Sequence, residues 1–341
     1  MKKSLVLLLT LVTVFLVTAC DTFEDDDDRP VVITTLFPQY DFTKQIAEDH
    51  VRTEYLLPPG TSAHSYEPSP NDVIDILEAD LLIYTGDSME PWVENMIAGH
   101  VDDHSLRLLD LSEHVDLIGH DHDHHHGHDD HDDHNDHDDH DDHDDHDDHD
   151  DHNDHDHDHD HGDYDPHIWL DPLNAIKMVE AIEAALEDIV DADAHASIQE
   201  LSKAYQNELQ QYHEDVLDLM NESDHSVFMH GGHNAFGYFV QRYNLEYVTP
   251  YQGFSTDSEP TPGALANMVE TMNEHGAETL FSENLIDPRV ADAIAEETGA
   301  EIVYLNVAGN ISKDDFEEGV TFMEMMHENL EGFKSEFGNH E

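Results

Sequence analysis

Residues 120–161 constrain this chain more than any other stretch, because they cannot join a folded core. The segment is histidine and aspartate with one glycine and two asparagines, and it holds 18 of the 32 histidines and 21 of the 81 acidic residues. From His131 to His155 a histidine returns at every third residue. A stretch without apolar side chains gains nothing to offset the entropy of ordering its backbone, so it is expected to stay solvated and disordered. What it offers is imidazole nitrogen and carboxylate oxygen, the donor set of zinc and its borderline neighbours. A fold must come from the flanks, and the tract is an insertion within it.

The leader sets the compartment. Lys2 and Lys3 precede an apolar run, Leu5 to Val17, that ends in Val17-Thr18-Ala19-Cys20. The run is short for a membrane span and has the order of a signal peptide. Val-Thr-Ala-Cys resembles a bacterial lipobox, which would leave Cys20 as a lipid-modified N-terminus; the other reading is a cleaved secretory leader with a chance cysteine. Cys20 is the only cysteine, which excludes an intramolecular disulfide and thiolate-rich metal sites. Residues 21–30 read as an acidic tether to an exported, membrane-anchored body.

The formal net charge is -69, from 81 acidic and 12 basic residues. Such a surface repels nucleic acid and anionic lipid and attracts cations. Adaptation to a salty or alkaline medium, where screening shrinks self-repulsion, explains the body of the chain better than a specific acidic partner does.

Outside leader and tract, strand and helix signals alternate. Strands are expected at Val31–Leu36, Thr53–Leu57, Asp80–Tyr84, Leu106–Leu111, Ser226–Met229, Glu246–Thr249, Thr279–Phe281 and Glu301–Leu305. Helices are expected at Tyr40–Glu48, Asn71–Glu78, Pro172–Val190, His195–Asn221, Ala235–Tyr243, Gly263–His275, Pro288–Thr298 and Lys313–Phe333. Alternation implies parallel sheets with crossover helices, hence an α/β fold of two lobes joined by a stiff helix. The expected division is a leader 1–20, the tether, an N-terminal lobe 31–194 carrying the insert 118–163, a linking helix 195–222 and a C-terminal lobe 223–341.

Ligands of open α/β sheets bind beyond the carboxyl ends of the strands. Three such junctions carry histidine: Pro58-Pro59-Gly60-Thr61-Ser62-Ala63-His64, Asp165-Pro166-His167-Ile168-Trp169-Leu170-Asp171-Pro172, and His230-Gly231-Gly232-His233-Asn234-Ala235-Phe236-Gly237-Tyr238-Phe239. Each alone reads better as an ordinary loop histidine than as a ligand. Together, neutral imidazoles from three loops are a usual way to build a zinc site. Asp165 and Asp171 flank His167 and are placed to orient its other ring nitrogen.

These loops resemble the metal-binding solute receptors of ABC transporters, specifically the zinc-receptor (ZnuA-type) branch. The resemblance covers roughly residues 31 to 335, includes the His-rich insert just before Asp165, and extends to Gly253–Pro262. It implies a metal clamped between the lobes by His64, His167 and His233. Manganese-type members typically carry glutamate at the third position, so His233 points to zinc; His230 competes with it, but His233 holds the motif's place. Many relatives supply a fourth, carboxylate ligand after the last strand, whereas Leu305–Ser312 here contains none. Water, Glu67 and Glu283 are the candidates for that position.

The resemblance implies an extracytoplasmic zinc receptor, periplasmic or at the cell surface. It would be lipid-anchored at Cys20 and deliver Zn2+ to an ABC permease and ATPase, with the tract as an auxiliary capture segment. The alternative is a surface metal buffer or adhesin-like lipoprotein on the same fold; a manganese or nickel receptor and a zinc hydrolase are further options. The sequence has no His-Glu-x-x-His pair, no Gly-x-Ser-x-Gly elbow and no phosphate-cradling loop, so no motif nominates an enzyme.

Overall fold

The computed structural model describes residues 28–98, 106–119, 164–254 and 259–338. The leader, Cys20, most of the tether and the tract lie outside the described residues. The first lobe is a parallel sheet of β1 (Val31–Thr34), β2 (Arg52–Tyr55), β3 (Leu81–Tyr84) and β4 (Arg107–Asp110) in the order β2-β1-β3-β4. Ile33 pairs with Glu54 on one side and Leu82 on the other, which fixes the register of the central strand. Crossovers are made by α1 (Phe37–Ala47), α2 (Pro70–Glu78) and α3 (Pro91–Ala98).

Then come α4 (Pro172–Glu187) and α5 (Ala192–Glu222). The 31 residues of α5 span about 46 Å at 1.5 Å per residue. Its buried positions Ala194, Ile198, Tyr205, Leu209, Tyr212 and Val216 fall at helical spacing, so one stripe faces the core and the rest faces water. It packs on α1 and α4. Among the described residues no helix is long and apolar enough to cross a membrane.

The second lobe holds β5 (Val227–Met229), β6 (Glu246–Val248), β7 (Thr279–Glu283) and β8 (Glu301–Leu305), with α6 (Gly237–Arg242), α7 (Pro262–His275), α8 (Arg289–Thr298), α9 (Lys313–Glu318) and α10 (Phe322–Phe337). Two parallel ribbons, β5-β6 and β7-β8, meet through a bridge between His230 and Phe281. Phe228 stacks on Phe281 at 4.8 Å and Phe239 packs on Phe333 at the same distance, so an aromatic core lies beneath the bridge.

Three elements depart from the sequence expectation. Pro91–Ala98 is a helix that no expectation covered; proline sits at its start, where the missing N–H costs nothing. The expected helix Lys313–Phe333 is two helices: Gly319 adopts φ 78° and ends α9, and Thr321 caps α10 by accepting from Glu324 N. Strand β7 runs two residues past its expected end, to Glu283.

Candidate metal centre

All three histidine loops converge on one pocket. His64, His167 and His233 each bring a ring nitrogen within 4.8 Å of the others. Their ring centroids are 4.9 to 5.4 Å apart.

The His64 loop follows β2. Thr61 N donates to Pro58 O at 3.1 Å, and Gly60 takes φ 81°, a turn that favours glycine. The loop is held from the opposite lobe: Gly60 N donates to Ile311 O at 2.8 Å, and Asn310 Nδ2 donates to Pro58 O at 3.2 Å and to Thr61 O. Tyr55 hydroxyl donates to Asn310 Oδ1 at 2.8 Å. Trp169 Nε1 donates to Val307 O at 2.7 Å, so the loop after β8 is pinned over the cleft at two points.

His167 is 1 % exposed and opens a 3-10 turn, Ile168–Leu170. Asp165 Oδ1 accepts from its backbone N at 3.0 Å and faces its Nδ1 at 2.8 Å. Burial, reinforced by repulsion from His233, holds the His167 pKa well below the ordinary histidine value. Its ring is therefore neutral, and the Asp165 contact is a hydrogen bond rather than an ion pair. Burial pushes the Asp165 carboxyl up to about 7, and its Oδ2 is buried without a hydrogen-bond partner. Asp171 does not orient His167. The 3-10 turn carries it to the N-terminus of α4, where it accepts from Leu173 N at 3.0 Å and binds Arg242 through both oxygens, at 2.5 to 2.9 Å.

His233 follows β5 through Gly231-Gly232, and a side chain at Gly232 would collide with the Glu283 carboxylate. Glu283 Oε1 accepts from His233 N at 2.9 Å and faces His233 Nδ1 at 2.8 Å. Burial alone would raise the Glu283 carboxyl, but His233, His230 and His167 outweigh it and hold the pKa below the usual value. Glu283 lines the pocket. Glu67 is exposed and is not among the lining residues. His230 lies deeper, with its Nδ1 3.0 Å from Tyr247 hydroxyl.

The two orienting carboxylates decide what the pocket can hold. With Nδ1–H of His167 and of His233 each donated to a carboxylate, both Nε2 atoms carry lone pairs. They face each other at 3.1 Å. Two lone pairs at that distance repel unless a cation sits between them. A tetrahedral ion with Zn–N bonds of 2.0–2.1 Å places its nitrogens about 3.3 Å apart, so the spacing fits zinc closely.

Two lobes with parallel sheets and a donor cluster at the strand ends define a solute-binding protein. The chain matches the family model "ZnuA: Zinc-uptake complex component A periplasmic" over residues 32–336. It is 31% identical over 307 residues to the high-affinity zinc uptake system protein ZnuA of Bacillus subtilis, covering 90% of this chain and 87% of that protein. It is 28% identical to the zinc-binding lipoprotein AdcA of Streptococcus pneumoniae over 98% of its own length but spans only 61% of AdcA. The crystal structure of the metal-dependent lipoprotein YcdH from Bacillus subtilis superposes with a TM-score of 0.70 at 28% identity, over 91% of this chain and 100% of that one. The Zn(II)-bound ZnuA-like domain of pneumococcal AdcA does so with a TM-score of 0.70 at 25% identity, with the same coverage. The chain belongs to the ZnuA family.

Proposed function

We propose that this protein is an extracytoplasmic receptor that binds Zn2+ through His64, His167 and His233 in the cleft between lobes 31–194 and 223–341, across the linking helix 195–222. It hands the ion to the permease and ATPase of an ABC importer. The observation that carries this reading is the pair of Nε2 atoms at 3.1 Å, each left with a lone pair because a carboxylate takes its Nδ1 proton. A general base poised for hydrolysis is a different arrangement: the buried carboxylates here are spent on orienting ligands. Water completes the tetrahedron, because Glu283 is turned to His233 Nδ1, away from the nitrogen that faces the ion, and lies outside the three-histidine cluster. Anchoring through Cys20 would keep the receptor at the membrane.

Zinc content and uptake test the reading. The protein purified from its own host carries zinc, and changing any one of the three histidines to alanine removes it from the cleft. A strain lacking the gene grows poorly only when zinc is scarce; normal zinc uptake in that strain would favour the metal-buffer or adhesin-like alternative.

The tract reads as an auxiliary capture segment, and one observation favours this over an inert insertion. The described residues that flank it pair with each other: Gly119 bridges Tyr164, and Asp165 N donates to Ile118 O at 3.0 Å. The insertion point therefore adjoins Asp165, the residue that faces His167 Nδ1, and a metal-binding segment tethered there raises the local metal concentration.

A further inference from the structure

His230 is 0 % exposed and is not one of the three clustered ligands. Its ring packs against Phe236, 5.0 Å between centroids, and stacks on Tyr247 at 6.0 Å. Its backbone N donates to Val248 O at 2.9 Å, so the residue is fixed in the sheet where the two ribbons join. Its Nε2 is buried without a hydrogen-bond partner, 3.7 Å from Glu283 Oε1.

The tautomer follows from the neighbours. Tyr247 hydroxyl lies 3.0 Å from His230 Nδ1 but 3.4 Å from His233 O, and Phe236 N approaches it as a donor at 3.4 Å. The 3.0 Å contact shares one proton between the Tyr247 hydroxyl and Nδ1, and the tautomer in which Nδ1 accepts places the other hydrogen on Nε2, facing the carboxylate. The reverse tautomer would point a bare Nε2 lone pair at a carboxylate oxygen in a dry site, which is repulsive. We infer that His230 is a positioning residue for the metal pocket: fixed by Tyr247, its Nε2–H faces Glu283 Oε1 across 3.7 Å, a charge–dipole contact longer than a hydrogen bond, and steadies that oxygen at His233 Nδ1. Glu283 in turn keeps His233 Nε2 aimed at the ion. The inference rests on the zinc-receptor reading above and adds to it a Tyr247–His230–Glu283–His233 chain.

The test uses the full chain and Zn2+ itself. A competing chelator is set at a concentration that strips zinc from a synthetic peptide of residues 120–161. His230→Phe keeps the ring shape but removes the donor, and zinc affinity is expected to fall about 10-fold, the low end of the loss on removing a group that touches a metal-bound histidine, because His230 acts through Glu283. His230→Gln restores an N–H near the Nε2 position and should stay within about threefold of wild type. Tyr247→Phe should weaken binding in the wild-type background but not beside His230→Gln, which has no tautomer to fix. Retained affinity in His230→Phe, or equal losses in the Phe and Gln variants, overturns the inference. If circular dichroism shows His230→Phe unfolded, the two Tyr247→Phe comparisons decide in its place: equal effects in both backgrounds overturn it. Failure of the receptor reading looks different, because His233→Ala would then keep its zinc.

Discussion

At the residue scale, the pocket depends on buried carboxylates that hold neutral imidazoles in one tautomer. Asp165→Asn keeps the shape and can still accept from His167, but it cannot become the anion that makes a metal-bound imidazole more basic. Zinc affinity is expected to drop about tenfold or more by chelator competition, with the fold intact; unchanged affinity would show that a neutral acceptor suffices. Glu90 shows the cost of a buried carboxylate away from the site. It accepts from Thr35 hydroxyl at 2.5 Å, from Thr85 N at 3.1 Å and from Gly86 N at 3.2 Å, yet burial still pushes its pKa up to about 7. A carboxyl with a raised pKa binds more protons folded than unfolded. It therefore favours the fold at low pH, and that contribution is lost as pH rises from about 4.5 towards 7. Glu90→Gln should remove this slope, making the variant more stable than wild type by up to about 3 kcal/mol near pH 8 but not near pH 4.5. Denaturant melts of both proteins across that range check it, and parallel pH profiles would sink it.

At the element scale, most of the fold was legible because strand and helix periods alternate cleanly on either side of the tract. The clustering of His64, His167 and His233 was legible for a related reason: each sits just after a strand or before a helix, where an open sheet gathers its functional loops. What the sequence hid depends on contacts between distant segments. Glu283 stood out only weakly because β7 looked two residues shorter than it is; the full strand delivers that carboxylate beside His233. Asp171, adjacent in sequence to the His167 turn, looked like an orienting group, but the helix it caps and Arg242 claim it. Leu305–Ser312 carries no carboxylate, and nothing in its sequence shows that Asn310 and Val307 tie it to the His64 loop and to Trp169. Asn310→Ala should loosen that strap. Losing its hydrogen bonds should cost about 1–3 kcal/mol of stability, and zinc should leave faster in stopped-flow chelator trapping. An unchanged release rate would mean that the strap does not close the cleft.

At the scale of the whole molecule, two populations of histidine differ in environment and therefore in pH response. The 18 histidines of residues 120–161 lie among 21 aspartates, without apolar cover in sequence. Ordinary imidazole titrates near 6.5, and neighbouring carboxylates raise that value, so protons displace metal from the tract as the medium turns mildly acidic. In the cleft, burial keeps His167 neutral well below the ordinary value, so protons compete there only at lower pH. The full chain should bind several zinc ions at pH 7.5 and approach one at pH 5.5. A variant lacking residues 120–161 should bind one at both. Metal analysis after gel filtration measures this directly. Equal stoichiometry of the two proteins at pH 7.5 would leave the tract no role in capture. Loss of the last zinc from the variant by pH 5.5 would mean that the cleft is not protected from protons, contrary to its burial. If both expectations hold, capture and retention are separate tasks. An acidic, histidine-dense segment gathers metal where it is dilute and releases it readily, and the rigid pocket at its base keeps one ion because its carboxylates, not the solvent, decide which nitrogen carries the proton.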